Sequence, residues 1–169
     1  MPSPSEGEHE GGFSFRNWIS RLPPFTADNI YRIYLPIAGA VSYCTFSVTV
    51  FIPEFLSRLY PDQSVMVANC LLFNSHVGTG LYVYFRPHMR KAQPYHRVMY
   101  SAYQAVLFNF GSVLLWAVTK SLLPQSHLVR SIFAVSTSAC FLTIGKEYLD
   151  FLDAPSSEQG TAPTSYTSV

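Results

Sequence analysis

The stretch IYLPIAGAVSYCTFSVTVFIP, residues 33–53, contains no Asp, Glu, Lys or Arg. Three further uncharged windows follow at residues 63–85, 98–119 and 131–145. A helix rises about 1.5 Å per residue, so about 20 residues cross the roughly 30 Å hydrocarbon core of a bilayer. Helices satisfy their own backbone polar groups in that core. The windows therefore predict an all-α integral membrane protein, a four-transmembrane-helix bundle with short loops.

The composition favours this fold class over a soluble helical bundle. Hydrophobic residues make up 49% of the 169-residue chain and charged residues 12%. A soluble bundle needs charged faces at a period of 3.6 residues, and the windows have none. Cys44, Cys70 and Cys140 all lie inside windows, which leaves no pair in a connector for an exposed disulfide. The net charge of +1 gives no basis for nucleic-acid binding.

The distribution of basic residues predicts how the chain is threaded. Of its 11 Lys and Arg residues, only Arg58, Lys120 and Arg130 fall in the first or third connector. The other eight lie before the first window, in the second connector or directly after the fourth window. Cytoplasmic segments near spans carry an excess of Lys and Arg. We therefore expect cytoplasmic N and C termini.

We expect three parts along the chain. Residues 1–29 form an N-terminal arm, residues 30–152 the membrane domain, and residues 153–169 a flexible tail. Apolar residues at helical spacing predict a helix in the membrane interface over residues 13–22, with a disordered arm as the alternative. The predicted spans are residues 33–53, 63–85, 98–119 and 128–148, the last lengthened by flanking cations that extend to the interfaces.

Small and weakly polar residues should mark the seams between helices, because lipid gives apolar helices no drive to associate. The predicted seam positions are Ala38, Ser42, Thr45 and Thr49 in the first span, Asn69, Phe73, His76 and Gly80 in the second, Gln104, Phe108, Gly111 and Leu115 in the third, and Ser131, Ser138 and Gly145 in the fourth. Asn69, His76 and Gln104 are the candidate intramembrane polar residues. We expect a neutral His76 that bonds across the seam to Gln104 or a serine; the alternative is a gating or proton-relay residue.

The second connector, RPHMRKAQPYHR (residues 86–97), is strongly basic. At a cytoplasmic surface Arg86, Arg90, Lys91 and Arg97 would attract anionic lipid headgroups, each contributing about 1 kcal/mol. The same charges also set topology, and the two interpretations are compatible. The connector is therefore a predicted lipid-headgroup site.

The sequence ends with two overlapping recognition patterns. Thr167 and Val169 fit the ligand of a PDZ domain, which binds a free carboxylate and adds the peptide as a strand. Tyr166 and Val169 fit the Tyr-x-x-Φ pattern of endosomal sorting adaptors. A PDZ-domain protein and a sorting adaptor are thus the two predicted partners besides the lipid bilayer.

Signatures of enzymes do not occur in this sequence. It has no Gly-rich phosphate loop, no HExxH and no nucleophile elbow, and the uncharged windows offer no acid or base. We expect no catalytic, cofactor-binding or metal site. The predicted function is a non-enzymatic interaction or trafficking component acting through its tail, in the plasma membrane or endolysosomal membranes, with the endoplasmic reticulum left open. The alternative is a channel, transporter or auxiliary transport subunit using Asn69, His76 and Gln104.

Overall fold

The fold consists of helices joined by short connectors. The computed structural model describes residues 23–158, and the side chains of residues 23–154. In this part of the chain no strand occurs. The helices are α1 (Ala27–Phe51), α2 (Glu54–Leu59), α3 (Ser64–Tyr84), α4 (Pro94–Lys120) and α5 (His127–Glu158), with a 3₁₀ turn at Pro87–Lys91. The predicted interfacial helix over residues 13–22 and the tail residues Tyr166, Thr167 and Val169 lie outside the described residues.

Three of these helices are long and apolar enough to cross a membrane: α1, α4 and the part of α5 up to Ala154. Helix α3 is also free of charge, but Asn69, Asn74 and His76 lower its mean hydropathy. Many large apolar side chains point outward; Phe73, for example, is 72% exposed. Such a surface is suited to lipid and costly in water. The predicted all-helical fold is confirmed for the described residues, with three helices that could span a membrane.

Helices α3 and α4 follow their uncharged windows closely, whereas α1 begins six residues before its window, at Ala27, and α5 extends beyond its own. Helix α5 continues to Glu158, well past the predicted end of the fourth span at residue 148 and the predicted start of the tail at residue 153. Its last turns are stabilised by an ion pair between Lys146 and Asp150, four residues apart. The end predicted at residue 148 came from the length needed to cross a bilayer, and the helix continues beyond that length.

A π-helical segment interrupts the start of α1. Residues Ile30–Tyr34 form the π turn, and the Leu35 N–H donates to the Ile30 carbonyl. Pro36 follows directly and has no N–H, so it cannot donate to the carbonyl of Arg32 as an α-helix requires. The wider turn is a local adjustment to this missing donor. A proline inside a helix commonly causes such an irregularity in the turn that precedes it.

Helix α1 is the central element, because it packs against α3, α4 and α5. Its closest approach is to α3, where a Cβ atom on Gly39 would lie 2.5 Å from the Cα atom of Gly78. The main core lies farther along α1, where Tyr43 and Phe51 are buried with Trp116 of α4 and other apolar groups. Small residues thus let α1 and α3 pack closely, and aromatic rings fill the other contacts of α1.

The predicted seams are correct in part. Ser42 and Ser138 are buried, as expected. On α3, however, Asn69 and Phe73 are exposed, whereas Ser75 and Gly78 are buried. The α4 prediction was wrong by one residue, about 100° of helix rotation. The buried positions there are Ser101, Ala105, Asn109, Ser112 and Trp116 instead of Gln104, Phe108, Gly111 and Leu115.

The actual seams are lined by polar side chains that bond to one another. The Tyr43 hydroxyl donates to Ser112 Oγ at 2.7 Å, and the Ser75 hydroxyl donates to Asn109 Oδ1. The hydroxyl oxygens of Ser47 and Ser138 lie 2.6 Å apart. Each pair joins two helices. A buried polar group in lipid must find such a partner, so these pairs fix the rotation of each helix.

Candidate functional site

One end of the bundle gathers most of the described basic side chains. Helices α1 and α4 begin at this end, and α3 and α5 end there. The Arg32 guanidinium lies 5.0 Å from the centroid of the Phe85 ring, which ties the start of α1 to the end of α3. The Nε of Arg97 donates to the Tyr84 carbonyl at 2.7 Å, which ties α4 to the same point. We call this the basic end.

An ion cluster joins the connector between α3 and α4 to the last turns of α5. The Nη1 of Arg86 lies 2.7 Å from an oxygen of Asp150 and 3.2 Å from one of Asp153. Its Nη2 donates to the Tyr82 hydroxyl, and its guanidinium lies over the Tyr82 ring. The Arg86 side chain is only 15% exposed. Arg86 therefore serves as the hub of this cluster.

Two further residues complete the cluster. The backbone N–H of His88 donates to Asp153 Oδ1 at 2.9 Å, and the Nδ1 of His88 lies 2.5 Å from the same oxygen. On the outer side, Lys146 Nζ lies 2.7 Å from the second oxygen of Asp150. The carboxylate of Asp150 is thus shared between two cations. This sharing leaves Asp150 paired if Lys146 moves away.

The four basic residues predicted to bind lipid headgroups occupy different environments. Arg86 is committed to the ion cluster, and Arg97 donates to a backbone carbonyl and lies 4.0 Å from the centroid of the Tyr84 ring. Arg90 and Lys91 are exposed on the 3₁₀ turn. Arg86 and Arg97 thus have structural contacts, and the headgroup role of the four residues stays a prediction.

A cavity of about 400 Å³ lies between α1, α3, α4 and α5, beside the ion cluster. Its wall is mostly apolar and includes Ala40, Phe108, Leu142 and Gly145. Lys146 lines the cavity as well. This volume falls within the range of about 300–1,000 Å³ typical of small-molecule sites. The cavity and the ion cluster together form the candidate functional site.

The three candidate intramembrane polar residues are not brought together at one point. Asn69 is exposed on α3. Gln104 lines the cavity, and its buried Oε1 has no hydrogen-bond partner among residues 23–154. His76 Nδ1 lies 2.8 Å from the carbonyl of Leu72 in its own helix, and its ring packs edge-on against Phe110. The predicted bond from His76 across the seam was therefore wrong.

The ion cluster was missed by sequence reasoning, although a signal for it exists. Asp150 and Asp153 are three residues apart, so they share one face of α5. The basic connector between α3 and α4 lies at the same end of the bundle as these two aspartates. Opposite charges at one end of a small bundle are expected to pair. Reading the tail as flexible from residue 153 concealed this signal.

Comparison with protein-family models, with curated proteins and with solved structures gives no match.

Proposed function

We propose that this chain is a non-enzymatic, four-span membrane protein whose helical domain presents both terminal segments on the cytoplasmic side, where the tail recruits a partner. The observation that supports it best is the ion cluster, because Arg86 joins the connector to the end of α5. Since α1 also begins at the basic end, the start of α1 and the end of α5 lie at the same end of the bundle. The excess of Lys and Arg at this end favours the cytoplasm.

The tail supplies the recognition chemistry in this proposal. Eleven residues follow Glu158 in the sequence, enough for an extended reach of about 35–40 Å from the end of α5. Tyr166 and Val169 offer two side chains for a sorting adaptor. With Val169 as the last residue, its carboxylate and the Thr167 hydroxyl offer a ligand for a PDZ domain. Either partner would be reached from the cytoplasmic surface.

The packing of the seams favours this proposal over transport. Most of the buried Ser and Asn side chains in the bundle bond to another side chain, as Ser75 does to Asn109. A polar path would need Asn69, His76 and Gln104 around one cavity, and these residues lie apart. A pathway also needs polar walls, whereas the wall of the cavity is largely apolar. The transport alternative thus has the weaker support.

The two recognition modes can be separated in cells that express the full chain. Appending one Ala after Val169 moves the carboxylate but keeps the Tyr-x-x-Φ pattern. Tyr166→Ala breaks that pattern but keeps the PDZ ligand. Ser168→Ala changes a position that neither pattern specifies, so it is the control. We would measure localisation by microscopy and partner capture by proximity labelling from the cytoplasmic face.

We expect one of the two changes to alter partner capture or localisation, and the control to alter neither. Loss of capture with the added Ala alone supports a PDZ partner, because that groove requires the carboxylate. Mislocalisation with Tyr166→Ala alone supports a sorting adaptor. The proposal fails if both variants match the unmodified chain in capture and location.

A further inference from the structure

We propose that the cavity at the basic end binds one molecule of an anionic phospholipid, with an acyl chain between the helices and the phosphate at Lys146. This inference rests on the proposed membrane location of the protein, and it does not depend on the proposed recognition of the tail by a partner. It assigns a specific binding site, whereas the exposed Arg90 and Lys91 offer only surface attraction.

The shape and lining of the cavity fit an acyl chain. Helices α1, α3, α4 and α5 each contribute to its wall, and the groups facing it are mostly apolar. Gly145 leaves space on the α5 side, since a Cβ atom there would meet only the edge of the Phe108 ring, at 3.4 Å. An empty space of this size in the bundle would forfeit dispersion contacts with its lining. A lipid chain would restore them.

The charge at the mouth fits a phosphate. Lys146 lines the cavity, and its side chain is 63% exposed, so its ammonium group can reach a headgroup. Its present partner, Asp150, is also held by Arg86 at 2.7 Å. Lys146 can therefore turn from Asp150 to a phosphate while Asp150 stays paired. This exchange is easier than freeing Arg86, whose side chain is only 15% exposed and has several partners.

Photo-crosslinking tests the acyl-chain position. The full chain would be reconstituted in vesicles of equimolar phosphatidylcholine and phosphatidylglycerol, with a trace of phosphatidylglycerol bearing a diazirine on one acyl chain. We expect adducts to map to the cavity lining, on Ala40, Phe108 and Leu142. Adducts confined to outward-facing residues such as Phe73 would overturn the proposal.

Filling the cavity tests its occupancy. Gly145→Leu and Ala40→Leu each add a side chain to the wall, from α5 and from α1. Their matched controls are Gly111→Leu, whose Cβ position has no neighbour within 4 Å, and Ala38→Leu, which is exposed on α1. Thermal unfolding identifies variants that fold. We expect either folded filling variant to lower cavity labelling several-fold and the controls to leave it unchanged. Equal labelling in filled and control variants would contradict the proposal.

A charge variant tests the headgroup. The labelling by diazirine-bearing phosphatidylglycerol is compared with that by diazirine-bearing phosphatidylcholine. Lys146→Gln should reduce this ratio by about fivefold, because one lysine at a headgroup contributes about 1 kcal/mol. Lys120→Gln, at the other end of the bundle, is the control and should keep the preference. If Lys146→Gln keeps it too, or if the unmodified chain has no preference, the site is an apolar groove for any lipid and the proposal is wrong. Deleting the tail should not change any of these results.

Discussion

Gly39 and Gly78 illustrate how much a single missing Cβ atom can matter. Their backbones touch so closely that a methyl group on either would lie 2.5 Å from the other's Cα. Helices in lipid gain stability from such close approach, because dispersion contacts replace the hydrophobic drive available in water. The composition of α1 and α3 pointed to small-residue seams, but these two glycines were not identified among the candidates.

Gly39→Ala should therefore destabilise the protein, whereas Gly111→Ala should not. In the first variant the α1 and α3 backbones must move apart, which costs about 1–3 kcal/mol of unfolding free energy, as overpacking does. At Gly111 the new methyl group meets nothing within 4 Å, and alanine raises helix propensity by up to about 1 kcal/mol. Unfolding in detergent micelles, followed by circular dichroism, measures both. Similar stabilities would mean that the two helices do not approach this closely.

The polar pairs explain why helix rotation escaped prediction at the residue level. The sequence placed Gln104 toward the seam because its spacing puts it on one helix face with Phe108, Gly111 and Leu115. In the structure the adjacent Ala105 is buried, and the neighbouring turn presents Asn109 to Ser75. Which polar residue faces inward depends on a partner in another helix. Spacing within one helix cannot supply that information.

At the level of elements, the uncharged windows predicted the helices well because a missing charge is a local property. Helices α3 and α4 end within a few residues of the expected positions. The extra length of α5 depends instead on contacts with the connector, which are distant in sequence. The short helix α2 was not predicted either; it is stabilised by burial of Leu56 and by a Glu54–Arg58 pair.

The ion cluster gives a prediction at this level, for the attachment of the connector to α5. Arg86→Gln removes the hub, so Asp153, whose side chain is 12% exposed, loses an ion pair. We expect a loss of about 1–3 kcal/mol of unfolding free energy, the cost of a poorly paired buried group. Hydrogen exchange of the 3₁₀ turn Pro87–Lys91 should also accelerate.

Arg90→Gln is the control for this variant. It removes an equal charge from the same turn, but its side chain is exposed, so stability should change by at most about 0.5 kcal/mol. If the two variants lose equal stability, the effect comes from net charge and the cluster does not hold the connector in place.

For the whole molecule, the number of crossings depends on α3. Its 21 residues span about 31 Å, the thickness of a hydrocarbon core, but its polar groups keep it from counting among the three helices that are apolar enough to cross a membrane by composition. It packs against α1 and α4, and Asn74 and Ser75 bond to neighbouring helices, which reduces the cost of their polarity. A crossing by α3 puts Asp62 and Arg90 on opposite sides of the membrane.

Cysteine accessibility tests this arrangement. In a chain carrying Cys44→Ala, Cys70→Ala and Cys140→Ala, we would introduce Asp62→Cys or Arg90→Cys, both at exposed positions. After digitonin opens the plasma membrane, a membrane-impermeant maleimide should label the Arg90 position from the cytoplasm. In intact internal membranes the Asp62 position should stay protected until detergent is added, and at the plasma membrane it should react from outside. Labelling of both positions from the cytoplasm would show that α3 does not cross the membrane. Labelling of only the Asp62 position from the cytoplasm would show that the bundle is inverted. An inverted bundle would place the tail away from any cytoplasmic partner.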